Sequence, residues 1–145
     1  MLKAAQSVGM LVLAVVMAAA QTAPQTTYTP KFAGDPAHSN AEAAALGYMR
    51  TVATAEKLYK RKHGEYASSL PALVGSGSFT RRMVNPERGD YHVQFHGTAK
   101  EFSLGLVPKQ FDAEHRAFYM DESGVIRAEE DKPASGSSPS VKSAR

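Results

Sequence analysis

Asn40-Ala41-Glu42-Ala43-Ala44-Ala45-Leu46-Gly47-Tyr48-Met49-Arg50-Thr51-Val52-Ala53-Thr54-Ala55-Glu56-Lys57-Leu58-Tyr59-Lys60-Arg61-Lys62-His63-Gly64 has the length, composition and punctuation of a long helix. Alanine and unbranched side chains dominate it, and both lose little on entering helical geometry. Ser39, with Glu42 three residues on, forms a capping box for the free N–H groups of the first turn. Lys60, Arg61, Lys62 and His63 complement the dipole at the far end, and Gly64 supplies the left-handed stop. A narrow apolar stripe runs through Ala45, Tyr48 and Met49, Val52, Ala55 and Tyr59. That assignment leaves Arg50, Glu56, Lys57 and Lys60 for the solvent face.

The rest of the chain supplies what covers the stripe. Ser68-Ser69-Leu70-Pro71-Ala72-Leu73-Val74 reads as a short helix or turn that tucks Leu70 and Leu73 inward. Residues 79–90 read as a polar connection anchored by Phe79 and Met83. Tyr91–Phe95 and Phe102–Val107 alternate with period two, as half-buried strands do, and Pro108 ends the second. Ala117–Met120 and Val125–Arg127 flank the hairpin loop Asp121-Glu122-Ser123-Gly124. The expected fold is therefore α+β: one long N-terminal helix packed on a small antiparallel sheet of 3–4 strands, within residues 39–131.

A chain of 145 residues predicts one domain, and a formal charge of +3 makes no case for a nucleic-acid partner. The absence of cysteine removes disulfides, thiolate metal sites and nucleophilic thiols. Lys3, the apolar run from Val8 to Ala20 and the small residues Ala18-Ala19-Ala20 read as a signal peptide over residues 1–20. The rival is an uncleaved N-terminal anchor, which would be the chain's sole contact with a membrane. Residues 21–38 read as a Pro/Thr-rich linker, and residues 132–145, rich in Ser, Pro and Lys, as a disordered tail.

Ala41 to Glu56, followed by Tyr59, Gly64 and Tyr66-Ala67-Ser68-Ser69-Leu70, resembles the helix-to-loop region of type IV pilins and type II secretion pseudopilins. Asp121 to Arg127 is similar to the final hairpin of those proteins, so the resemblance covers about residues 40–128. It implies a pilin-like fold and a non-enzymatic structural or interaction role. The implied partners are envelope or filament proteins in the periplasm or outside the cell. At the N-terminus the chain departs from the family. Gly9 stands where the pilin cleavage glycine falls, but Met10-Leu11-Val12-Leu13-Ala14 follows, with alanine in place of the glutamate used in filament assembly. The first reading is thus an exported pilin-like head. The alternative is a membrane-anchored pseudopilin cleaved after Gly9.

No motif for an enzyme is present: HExxH, CxxC and GxSxG are all missing, and Gly75-Ser76-Gly77-Ser78 reads as a turn. No catalytic, cofactor-binding or metal-ligating residue is assigned. His38, His63, His92, His96 and His115 read as surface residues, with His92 and His96 too far apart on one strand to grip one ion. The family resemblance brings calcium into view at Asp112, Glu114, Asp121 and Glu122, but their spacing matches no dedicated calcium loop and reads as solvated turns. Lys57, Lys60 and Arg61, joined by Arg81 and Arg82, form the candidate basic patch. It would suit a secreted DNA or polysaccharide binder, against the simpler reading of a solvated helix face. Loops 75–90 and 108–116 are the expected contact surfaces.

Overall fold

Helix α1, Asn40–His63, starts and stops where its local chemistry directs. Ser39 is the extended N-cap, and its hydroxyl accepts the Glu42 N–H at 3.1 Å. The Glu42 carboxylate accepts the N–H of His38 at 2.8 Å, one residue further out than a standard capping box reaches. At the other end Gly64 takes φ +80°, and its N–H donates to the Lys60 carbonyl at 2.7 Å. The computed structural model describes residues 28–141. The signal peptide expected over residues 1–20, the first part of the expected linker and residues 142–145 lie outside the described residues.

Five strands follow as one antiparallel meander in the order β1-β2-β3-β4-β5: Glu87–Arg88, Tyr91–Gly97, Phe102–Pro108, Ala117–Asp121 and Arg127–Glu129. β2 and β3 pair along their whole length, from Tyr91 opposite Pro108 to Gly97 opposite Phe102. Their alternation works as the sequence implied: Tyr91, Val93, Phe102, Leu104 and Leu106 face inward. Leu46, Met49, Val52 and Ala55 of α1 are buried with them in one core, which Phe118 and Met120 of β4 complete. Leu70, Leu73 and Phe79 close its end, so the long connection between helix and sheet is itself part of the core.

Several boundaries differ from expectation. The sheet has five strands, because Glu87 and Arg88 pair with His92 and Tyr91 inside what reads as a polar connection. A strand of two charged residues carries no periodic signal, and it makes a poor template for edge-to-edge association. β5 begins at Arg127, not Val125; Val125 is 39% exposed in the turn. The tail expected to be disordered from residue 132 runs beside β5 as far as Val141. Ala128 N–H donates to the Pro139 carbonyl at 3.0 Å, Val141 N–H donates to Ile126 at 2.8 Å, and the Arg127 guanidinium donates to Ser138 at 2.8 Å. The linker, too, folds onto the body in its second half. Asp35 is buried and accepts hydrogen bonds from the Tyr28 hydroxyl and the N–H groups of Lys31 and Ala37.

One residue of α1 changes face: Glu56, assigned to solvent, is 0% exposed. Tyr59, the last of the stripe, is half-buried against the core, with its ring 4.1 Å from that of His63. Glu56 reaches across to the chain that leaves the helix and accepts the Ala67 N–H at 2.9 Å. Ala67 in turn lies against Gly97 so closely that a Cβ there would sit 2.2 Å from its carbonyl oxygen. Gly97 is therefore what lets the 65–70 segment cross the end of the β2–β3 hairpin.

Candidate functional site

The residues of the candidate basic patch are all exposed but do not share one place. Lys57, Lys60 and Arg61 occupy the last two turns of α1, where the Lys60 ammonium lies 4.3 Å from the centre of the Tyr66 ring. Arg81 and Arg82 belong to the 3₁₀ turn Arg81–Val84, which the Tyr48 hydroxyl holds by donating to the Met83 carbonyl at 3.0 Å. Tyr48 precedes Lys57 by nine residues, about 13 Å along a helix. The helix cations and the loop arginines thus sit on different elements, joined by no side-chain hydrogen bond or ion pair among the described residues.

Asp112 and Glu114 lie before β4, and Asp121 and Glu122 at its other end, so the hairpin keeps the two acidic pairs apart. Asp112 accepts from Glu114 N–H at 2.9 Å, and Asp121 accepts from Ser123 N–H at 2.9 Å; each carboxylate closes its own turn. Among the described residues no group of three or more His, Asp or Glu side chains could hold a metal ion. His92 and His96 point outward from β2, with His92 Nδ1 2.6 Å from Glu87. His115 is different. Its Nδ1 lies 2.7 Å from Asp112 and its Nε2 3.0 Å from Asp90. Burial alone would lower its pKa, but hydrogen bonds to Asp112 and Asp90 outweigh that and raise it.

Besides Asp35, two buried glutamates of α1 went unrecognised in the sequence. Glu42 is 0% exposed, and Arg116 grips it through Nε at 2.9 Å, Nη2 at 2.8 Å and its own backbone N–H at 3.0 Å. The same Nη2 donates to the Pro36 carbonyl at 2.8 Å, and the Ser39 hydroxyl donates to the Glu114 carbonyl. Together these bonds fasten the start of α1 to the entry of β4. Glu56, by contrast, has one oxygen with no partner and no ion pair among the described residues. Burial raises its pKa, offset in part by the Ala67 N–H. Neither glutamate is linked to a nucleophile: among the described residues, no Ser or Thr hydroxyl hydrogen-bonds to a histidine or to either of these carboxylates.

A cleft of about 220 Å³ lies between the N-terminal half of α1 and the β1–β2 edge. Ala41, Ala44, Ala45 and Leu106 give it an apolar floor, and Tyr48, Tyr91 and Arg88 its walls. The Arg88 guanidinium lies 4.4 Å from the centre of the Tyr48 ring, and its Nη1 donates to the Arg82 carbonyl at 3.3 Å. A wider depression on the same connection is lined by Pro71, Val74, Arg81, Val84 and Pro86. The expected contact loop 75–90 contributes Arg88, Gly89 and Asp90 to the first and Arg81, Val84, Asn85 and Pro86 to the second, and its periodicity-free sequence gave no sign of either. No helix among the described residues is long and apolar enough to cross a membrane. Known protein families, curated proteins and solved structures give no match to this chain.

Proposed function

We propose that the chain is an exported, non-enzymatic, pilin-like interaction domain that docks to envelope or filament components. The observation that carries this reading is the order of elements. Among the described residues a single capped α-helix of 24 residues comes first, a long core-forming connection follows, and an antiparallel meander then roofs the helix. That is the architecture the sequence resemblance implies. The apolar run from Val8 to Ala20 supports export, and a loop surface carrying two clefts on a rigid scaffold supports recognition.

The test is the mature N-terminus, read by intact mass from fractionated cells. A chain starting at Gln21 in the extracytoplasmic fraction is the expected result. A start at Met10 would favour the anchored pseudopilin. An unprocessed chain in the cytosol would overturn both.

A further inference from the structure

We propose that the cleft between α1 and the β1–β2 edge binds an acidic peptide segment of a partner protein, seating one apolar side chain on its floor and a carboxylate on Arg88. This builds on the docking reading above and names the chemistry of the partner. The argument is one of charge complementarity around an apolar hole. Arg81, Arg82 and Arg88 form no ion pair among the described residues. Asp90 also lines the cleft, but its carboxylate is paired with His115 at 3.0 Å, and Glu87 is paired with His92 and Lys109, which leaves Arg88 as the cleft's one unpaired charge among the described residues.

Arg88 is held in place before any partner arrives. Its guanidinium stacks on Tyr48, whose hydroxyl is tied to Met83, and one N–H is fixed on the Arg82 carbonyl. A stacked guanidinium keeps its remaining donors free at its edge, in the fork geometry that matches a carboxylate. Pre-positioning lowers the ordering cost of binding, and arginine and tyrosine are the side chains that most often anchor interfaces. The floor decides between kinds of anion. Ala41, Ala44, Ala45 and Leu106 present small apolar groups in a hole of about 220 Å³, suited to one side chain. A phosphodiester backbone would use the arginines and leave that floor uncovered.

The experiment titrates purified full-length protein into a fluorescein-labelled peptide in which glutamates flank a single phenylalanine, followed by anisotropy at low salt. Binding is expected, with affinity falling about tenfold in Arg88→Gln, the loss of one charge-assisted hydrogen bond. A similar fall is expected in Ala44→Leu, which fills the cleft from an exposed helix position while keeping helix propensity. Thermal melts of both variants establish that they fold. The peptide with alanine for phenylalanine should bind more weakly. Absence of binding, equal binding by Arg88→Gln, indifference to the phenylalanine, or Arg88-dependent binding of single-stranded oligothymidine in the peptide's place would each overturn the proposal. None of these readouts depends on export, so failure here leaves the N-terminus test standing, and the reverse also holds.

Discussion

Glu56→Gln is expected to stabilise the domain at neutral pH and to leave it unchanged in acid. Glu56 is 0% exposed, its Oε2 accepts the Ala67 N–H at 2.9 Å, and its Oε1 has no partner. Glutamine preserves the acceptor for Ala67 and helix propensity, and replaces the ionisable oxygen with an uncharged NH2. Burial raises the folded-state pKa above the ordinary value of 4.5. The folded protein therefore binds this proton more tightly than the unfolded chain does. The Glu56 contribution to stability is most favourable below about pH 4.5, declines as pH rises through the raised pKa, and levels off above it.

The magnitude follows from the uncompensated oxygen. A buried polar group left without a partner costs about 1–3 kcal/mol and more when charged; the glutamine amide sits there unpartnered too, so Glu56→Gln relieves only the charged excess, about 1 kcal/mol at pH 8. For a domain near this size, each kcal/mol moves Tm by roughly 4 °C. Glu56→Ala goes the other way, because it orphans the Ala67 N–H and opens a cavity. Urea unfolding of the three proteins from pH 4 to pH 8 is the assay. A glutamine variant less stable than wild type at pH 8, or a difference equal at every pH, would refute the reasoning.

Two further outcomes are expected. Arg116→Ala should cost about 3–5 kcal/mol in urea unfolding, because it leaves the buried Glu42 charge without its counter-ion; converting Glu42 to glutamine in the same chain should recover part of that. His115→Gln should destabilise in acid and converge on wild type in alkali. The raised His115 pKa means its contribution is complete below the unfolded value of 6.5 and disappears as pH climbs through the folded value. NMR titration of the imidazole resonances gives that folded value directly.

Much of the fold could be read wherever a pattern repeats. α1 was legible from its caps to its final glycine, and β2 and β3 from their alternation, since each rests on many residues agreeing. β1 was not, because two residues hold no period and the pairing that makes them a strand comes from β2. The tail beside β5 was hidden for a related reason. Its composition is that of a disordered segment, yet Arg127 reaches across to the Ser138 carbonyl and the β5 edge offers N–H and C=O groups to pair with. The cleft was harder still. Tyr48 and Arg88 are forty residues apart in sequence, and only the fold stacks one on the other.

The buried glutamates teach a different lesson, because their position was written in the spacing. Glu42, Met49 and Glu56 recur every seven residues, and Leu46 and Val52 fall between them at helical intervals. All five are buried. Continuing the period from Met49 in either direction lands on a carboxylate facing the core. Residue type argued for solvent, since glutamate is seldom fully buried without a partner. Periodicity argued for the interior, and it was right at both ends of the helix. At Glu42 the conflict is resolved by Arg116, which supplies the opposite charge from the entry of β4. At Glu56 nothing supplies it, and that residual conflict is why the first prediction falls there: where period and polarity disagree and no counter-ion appears, protonation is the remaining way to satisfy the site.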